Sequence, residues 1–189
     1  MKKRKAQFFV LGAILLVSLF FAGLPKSNFI AVERTEDIVY LFDNVEREFP
    51  IALNNALNTT NDIEPSVDYM FNFTRFIDRL MTERLVNYTT LWVIARNSST
   101  TDVNLTVGSF LKYNTSVFLN LSGTTNNLTV DHNQTNSTTV SGVSSTYNLT
   151  IQFDEESAES VEFARDKVSM YVWVKMERDE NIIRGILSV

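Results

Sequence analysis

The sequence predicts an α+β protein: an N-terminal transmembrane helix, then amphipathic helices, then an antiparallel β-sandwich-like domain. Three observations lead there. An uncharged run of seventeen residues, 8–24, follows a basic amino terminus. Two stretches before residue 87 repeat their apolar residues at helical spacing. From about residue 88 the apolar period falls to two, as a half-buried strand requires. The 189 residues are 44% hydrophobic, enough to pack a core and too apolar for a wholly disordered chain. There is no cysteine, which excludes disulfides, thiolate nucleophiles and thiolate metal sites.

The first element is a basic leader, residues 1–6, carrying Lys2, Lys3, Arg4 and Lys5. The apolar segment behind it, residues 7–25, is expected to insert in a membrane. As a helix its uncharged part would be about 26 Å long, slightly short of a hydrocarbon core of about 30 Å. The positive-inside rule puts the lysines in the cytoplasm and everything after Pro25 outside. The FAGLPKS that ends the run is a poor match to a secretory cleavage site.

The stretch KRKAQFFVLGAILL resembles the class III signal peptides of archaeal type IV pilin-like proteins. That resemblance covers about twenty residues of the amino terminus. It implies a prepilin-peptidase-like enzyme that cuts between Ala6 and Gln7 and leaves the apolar helix on the mature protein. The helix would then be a membrane anchor before assembly and the core of a filament afterwards. One position departs from the bacterial pattern: Leu11 stands where bacterial pilins usually carry a glutamate. The alternative is an uncleaved signal anchor.

Residues 26–87 are expected to form a helical stalk or cap. Ile38, Leu41, Phe42, Val45 and Phe49 recur at helical spacing over residues 30–49. Pro50 is expected to break or restart that helix, because it has no N–H and disfavours helix in its predecessor; a short helical piece, 51–57, follows. After a polar link, Pro65 suits a first helical turn. Residues 67–86 form a second amphipathic helix with a Met70, Phe73, Ile77 and Leu80 stripe.

Residues 88–189 are expected to be an extracellular β domain of seven or so short strands. Val103, Leu105 and Val107 of VNLTV share a face, as do Val117, Leu119 and Leu121 of SVFLNLS, Leu128 and Val130 of NLTV, Leu149, Ile151 and Phe153 of YNLTIQF, and Val168, Met170, Val172, Val174 and Met176 of VSMYVWVKM. ERDEN reads as a turn, with IIRGILSV returning as the last strand. HNQTNSTT reads as a loop and FDEESAESVEF as a solvated acidic turn. Tyr171 and Trp173, opposite the Val/Met face of their strand, are expected to pack under the helices or meet a neighbouring subunit.

Asn-X-Ser/Thr is the acceptor signal for N-glycosylation. Residues 58–150 contain 13 asparagines and 28 serines or threonines. Random placement would produce about four such signals, yet eleven occur, at Asn58, Asn72, Asn87, Asn97, Asn104, Asn114, Asn120, Asn127, Asn133, Asn136 and Asn148. In four of the expected strands the acceptors Asn104, Asn120, Asn127 and Asn148 fall opposite the apolar face. Between Tyr113 and Phe153 the one formally charged residue is Asp131, so a sugar coat would solvate a β-rich surface that charge does not.

No reaction is legible. His132 is the single histidine and sits among acceptor signals, where an exposed loop residue is expected. Asp154, Glu155, Glu156 and Glu159 cluster without the glycine-containing loop of a calcium site. No phosphate-cradling glycine loop occurs. The expectation is therefore no catalytic, metal or cofactor site. Net charge is −5 even with four positive charges in the first five residues, so the remaining body is strongly acidic and unsuited to nucleic acid. The expected partners are membrane lipid, the processing enzyme and further copies of the chain in an oligomer or filament. The alternative is a non-polymerising, signal-anchored ectodomain that binds a ligand or partner through its β-sandwich.

Overall fold

The structure, a computed structural model, describes residues 34–60, 63–121, 123–154 and 156–189. The basic leader, the apolar segment and the Ala6–Gln7 bond lie outside the described residues. Among the described residues no helix is long and apolar enough to cross a membrane.

Among the described residues two helices come first, α1 (Arg34–Thr60) and α2 (Ile63–Glu83). Pro50 does not end the first helix; Arg34–Thr60 runs through it. An internal proline removes one backbone bond and crowds the carbonyl four residues before it, at a cost of about 3 kcal/mol. The apolar stripe explains why the helix survives. Leu41, Val45 and Phe49 before the proline, and Ala52, Leu53 and Ala56 after it, are all buried. Both halves are held against one surface, and tertiary packing overrides the local preference.

The second helix ends in a Schellman motif. The Leu85 N–H donates to the Thr82 carbonyl at 3.0 Å and the Val86 N–H to the Met81 carbonyl at 2.9 Å. Leu85 takes the left-handed conformation (φ 57°) that reverses the chain. The chain then enters β1 one residue later, at Asn87.

Nine strands follow: β1 (Asn87–Asn97), β2 (Val103–Ser109), β3 (Thr115–Leu121), β4 (Thr124–Val130), β5 (Gln134–Val140), β6 (Thr146–Phe153), β7 (Glu159–Ala164), β8 (Ser169–Arg178) and β9 (Asn181–Ser188). They form a five-stranded sheet, β5-β2-β1-β8-β9, and a four-stranded sheet, β4-β3-β6-β7. Every strand pair is antiparallel. The domain is thus α+β with two antiparallel sheets.

Two of these strands were expected to be irregular. HNQTNSTT is largely β5, an edge strand paired with β2 from Val103↔Val140 to Ser109↔Gln134. Its single buried residue is Val140, so it lacks the alternation by which an inner strand is recognised. The backbone ladder places it. The acidic stretch likewise ends in β7, where Val161 and Phe163 turn inward between Ser160, Glu162 and Ala164 and pair with β6.

The described residues form three layers, and β1 and β8 are buried on both faces. Leu91, Val93 and Ala95 of β1, with Tyr171 and Trp173 of β8, face the four-stranded sheet. Tyr88, Trp92 and Ile94, with Met170, Val172, Val174 and Met176, face the helices. Tyr171 and Trp173 therefore pack between the sheets, and it is the Val/Met face that lies under α1 and α2. The helices share one core with the sheet rather than standing off as a separate stalk.

Two glycines set how closely the layers approach. Gly108 is cross-strand to Trp92. A Cβ on it would lie 2.2 Å from the indole ring, so the ring rests directly on glycine backbone. The indole N–H donates to Thr74 Oγ1 of α2 at 3.1 Å, fixing that helix over the sheet. A Cβ on Gly185 of β9 would meet the Phe42 ring of α1 at 2.4 Å.

Candidate functional site

Two features outside the cores bear on function: the acceptor asparagines and a cleft at one side of the sandwich. All eleven acceptors are among the described residues, and none is buried. Nine are exposed; Asn104 and Asn133 are half-buried. Asn58 lies in the last turn of α1 and Asn72 on the outer face of α2. Asn87 opens β1, where its Oδ1 accepts from Lys112 Nζ, and Asn97 closes the strand. Asn114 precedes β3, and its Oδ1 accepts from the His132 N–H at 3.1 Å. His132 itself is exposed in the turn between β4 and β5.

The strand acceptors follow the pleat. Asn104 of β2 accepts from Thr106 Oγ1 at 3.1 Å and lies 3.4 Å from Thr139 Oγ1 of β5. Asn136 of β5 donates from Nδ2 to the Thr129 carbonyl of β4 at 2.9 Å, linking the two sheets. Asn133 occupies the intervening turn with φ 55°. Asn120, Asn127 and Asn148 share the outer face of the four-stranded sheet, because Val117, Leu119, Leu121, Leu128, Leu149 and Ile151 take the inner one. On that face Phe118 is directly opposite Asn127 and 45% exposed. Strands β7, β8 and β9 carry no acceptor.

Asn72 differs from the others. The hydroxyl of its signal belongs to Thr74, which is fully buried, donates to the Met70 carbonyl at 2.8 Å and accepts from Trp92. A folded α2 cannot present that hydroxyl to a transferase. Asn72 is expected to remain unmodified in the folded protein, and glycopeptide mapping checks this directly.

The cleft lies where edge strand β9 of one sheet overhangs the β6–β7 end of the other. Its volume is about 230 Å³ and its wall includes Phe153, Glu156, Glu159, Tyr171, Trp173 and Arg184. Phe153 and Trp173 meet edge to face at 5.2 Å and 81°. Arg184 Nη1 stands 3.6 Å from Glu156 Oε1 across the mouth. Tyr171 is 1% exposed and forms part of the cleft wall. Burial, and then the nearby Glu159 and Glu156 carboxylates, push its pKa well above the ordinary tyrosine value, so it stays a neutral donor.

The described members of the acidic stretch, Asp154, Glu156 and Glu159, have separate roles. Asp154 is committed to structure, accepting from Tyr113 Oη and Thr115 Oγ1, both at 2.7 Å. Among the described residues of the stretch, Glu156 and Glu159 line the cleft, and Glu155 lies outside the described residues. Among the described residues no three acidic or imidazole groups converge as a metal site would require. The cleft combines aromatic walls, two carboxylate acceptors and two kinds of donor, an arrangement suited to holding a ligand. Its residues stand between positions 153 and 186, and only sheet stacking brings them together. Comparison with protein-family models finds no match, and comparison with curated proteins finds none either.

Proposed function

We propose that this chain is a membrane-anchored, N-glycosylated structural protein of the cell surface, resembling an archaeal type IV pilin-like subunit. The observation that carries the coated-surface part is the placement of the acceptors: eleven signals in a compact fold, none on a buried asparagine. Outer-face chemistry supports it. Phe118 is an exposed aromatic ring in register with Asn127 and two residues from Asn120. A proximal sugar on Asn127 would lay its apolar C–H face over that ring and remove it from water.

The anchor rests on the amino-terminal sequence: a basic leader, an uncharged run of seventeen residues and the KRKAQFF junction. In this reading residues 7–25 are the transmembrane anchor, residues 26–87 are a helical stalk or cap, and a prepilin-peptidase-like enzyme removes residues 1–6. Membrane lipid and other copies of the chain are its partners. Sequencing the mature amino terminus tests the processing. The expected first residue is Gln7; a chain beginning at Met1, or one cut after the apolar run, contradicts the pilin-like assignment.

The cleft favours a second reading, a signal-anchored ectodomain that binds a ligand without polymerising. Chemical cross-linking on intact cells separates the two, since a ladder of multimers belongs to the first and an uncross-linked monomer to the second.

A further inference from the structure

We propose that the cleft between β9 and the β6–β7 end of the sandwich is a saccharide-binding site that holds one pyranose ring. The inference concerns residues outside the acceptor set and stands whether or not the chain is coated or anchored.

The chemistry of the wall selects the ligand class. Glu156 and Glu159 can only accept while ionised; Arg184 can only donate. The Tyr171 hydroxyl belongs to the cleft wall beside both carboxylates and bonds to neither. A ligand that fills this gap has to accept from tyrosine and arginine and donate to carboxylate. An alcohol group does both at once. An ammonium cannot accept, and a carboxylate or phosphate would face two carboxylates of its own sign. Phe153 and Trp173, edge to face, supply aromatic wall, and Ser157, Gly185 and Ile186 complete it. A pyranose presents an apolar C–H face to such rings and hydroxyls around its rim. The cavity, about 230 Å³, admits one ring and not an extended chain.

The surroundings agree with a working site. None of the eleven acceptors lies on β7, β8 or β9, so a sugar coat would leave this side open. Arg184 is 53% exposed at the mouth and can turn toward a ligand from its loose 3.6 Å pairing with Glu156. The ring bound could belong to an external glycan or to the coat of a neighbouring copy; the chemistry is the same.

The protein has two tryptophans, Trp92 under the helices and Trp173 in the cleft, which makes the test specific. Full-length protein with ¹⁵N-labelled tryptophan, produced without glycosylation and held in detergent micelles, is titrated with methyl glycosides of glucose, galactose, mannose and N-acetylglucosamine. The expected result is a saturable shift of the Trp173 indole signal by at least one glycoside, with Trp92 unmoved. Arg184→Ala and Glu159→Gln should each weaken binding about ten-fold. An unchanged Trp92 signal in those variants certifies that they fold. Glycopeptides cut from the native protein, titrated beside free oligosaccharides, assign the source, and saturable binding of either supports the site. No shift with any saccharide, equal shifts of both indoles, or a Trp173 shift with tetramethylammonium alone would overturn the proposal.

Discussion

Trp92→Ala is expected to destabilise the protein by about 3–5 kcal/mol, the range for deleting a large buried aromatic side chain. Trp92 is fully buried beneath the helices, rests on Gly108, and donates to Thr74. Its loss opens a cavity between α2 and the sheet and removes the hydrogen bond by which Trp92 holds Thr74. The converse change, Gly108→Ala, inserts a methyl group 2.2 Å from the ring and forces the indole or the strand to move. Overpacking of this kind costs about 1–3 kcal/mol. The two effects are not independent. Once Trp92 is alanine, the methyl on residue 108 has room, and the double variant should be more stable than the sum of the single losses implies. Urea unfolding of the four proteins measures the coupling. Strict additivity would mean that ring and glycine are not in contact.

A second large effect is expected in alkali. Tyr88 is fully buried, and burial drives its pKa far above the ordinary 10.0. Thr90 offsets part of the rise and Asp78 adds to it. The Tyr88 hydroxyl makes no well-formed hydrogen bond among the described residues, and the Thr90 hydroxyl near it donates to the Trp173 carbonyl at 2.6 Å. Burial also raises Tyr147, to about 12, and Tyr171 shifts in the same direction.

Below pH 10 these phenols are protonated in folded and unfolded chains alike, and their contribution to stability is fully present. As pH rises past the unfolded value of 10.0, the unfolded chain releases protons that the folded chain retains. Stability then falls, by about 1.4 kcal/mol per pH unit for Tyr88 alone, until the folded pKa is reached. Tyr147 and Tyr171 steepen the decline. Unfolding midpoints should be insensitive to these groups up to about pH 9 and drop sharply above pH 10. Tyr88→Phe should flatten the drop and, by removing an unpaired buried hydroxyl, raise stability at neutral pH by about 1–3 kcal/mol. An unchanged alkaline limb in that variant would contradict the burial of Tyr88.

The strands that bury one full face were legible because alternation is a local property. VNLTV, SVFLNLS, NLTV and YNLTIQF turn Val103, Leu105, Val107, Val117, Leu119, Leu121, Leu128, Val130, Leu149, Ile151 and Phe153 inward as the pleat dictates. VSMYVWVKM was legible as a strand but not in its surroundings. Buried on both sides, it offers no polar face, and only the tertiary layers decide which side meets helix and which meets sheet. β5 was hidden for the opposite reason: an edge strand with Val140 as its one buried residue is held by backbone bonds that side-chain pattern does not encode. Pro50 was misleading because a local rule met a stripe of buried residues running on both sides of it.

The candidate sites divide along the same line. An acceptor signal is contiguous, so all eleven could be read directly, and their outward position on strands followed from the alternation of their neighbours. That Thr74 is buried and bonded could not be read, since its partner Trp92 stands eighteen residues away. The cleft depends on β6, β8 and β9 meeting across two sheets. Glu156, Tyr171, Trp173 and Arg184 are unremarkable one by one and become a site only through that stacking.

The measurement that tests the central claim most directly is peptide-resolved mass spectrometry of the protein from its native membrane. A coated, pilin-like surface protein should begin at Gln7, carry glycans at most of the exposed acceptors on the strands and turns, and leave Asn72 bare. Eleven unmodified asparagines on a chain that still begins at Met1 would contradict it.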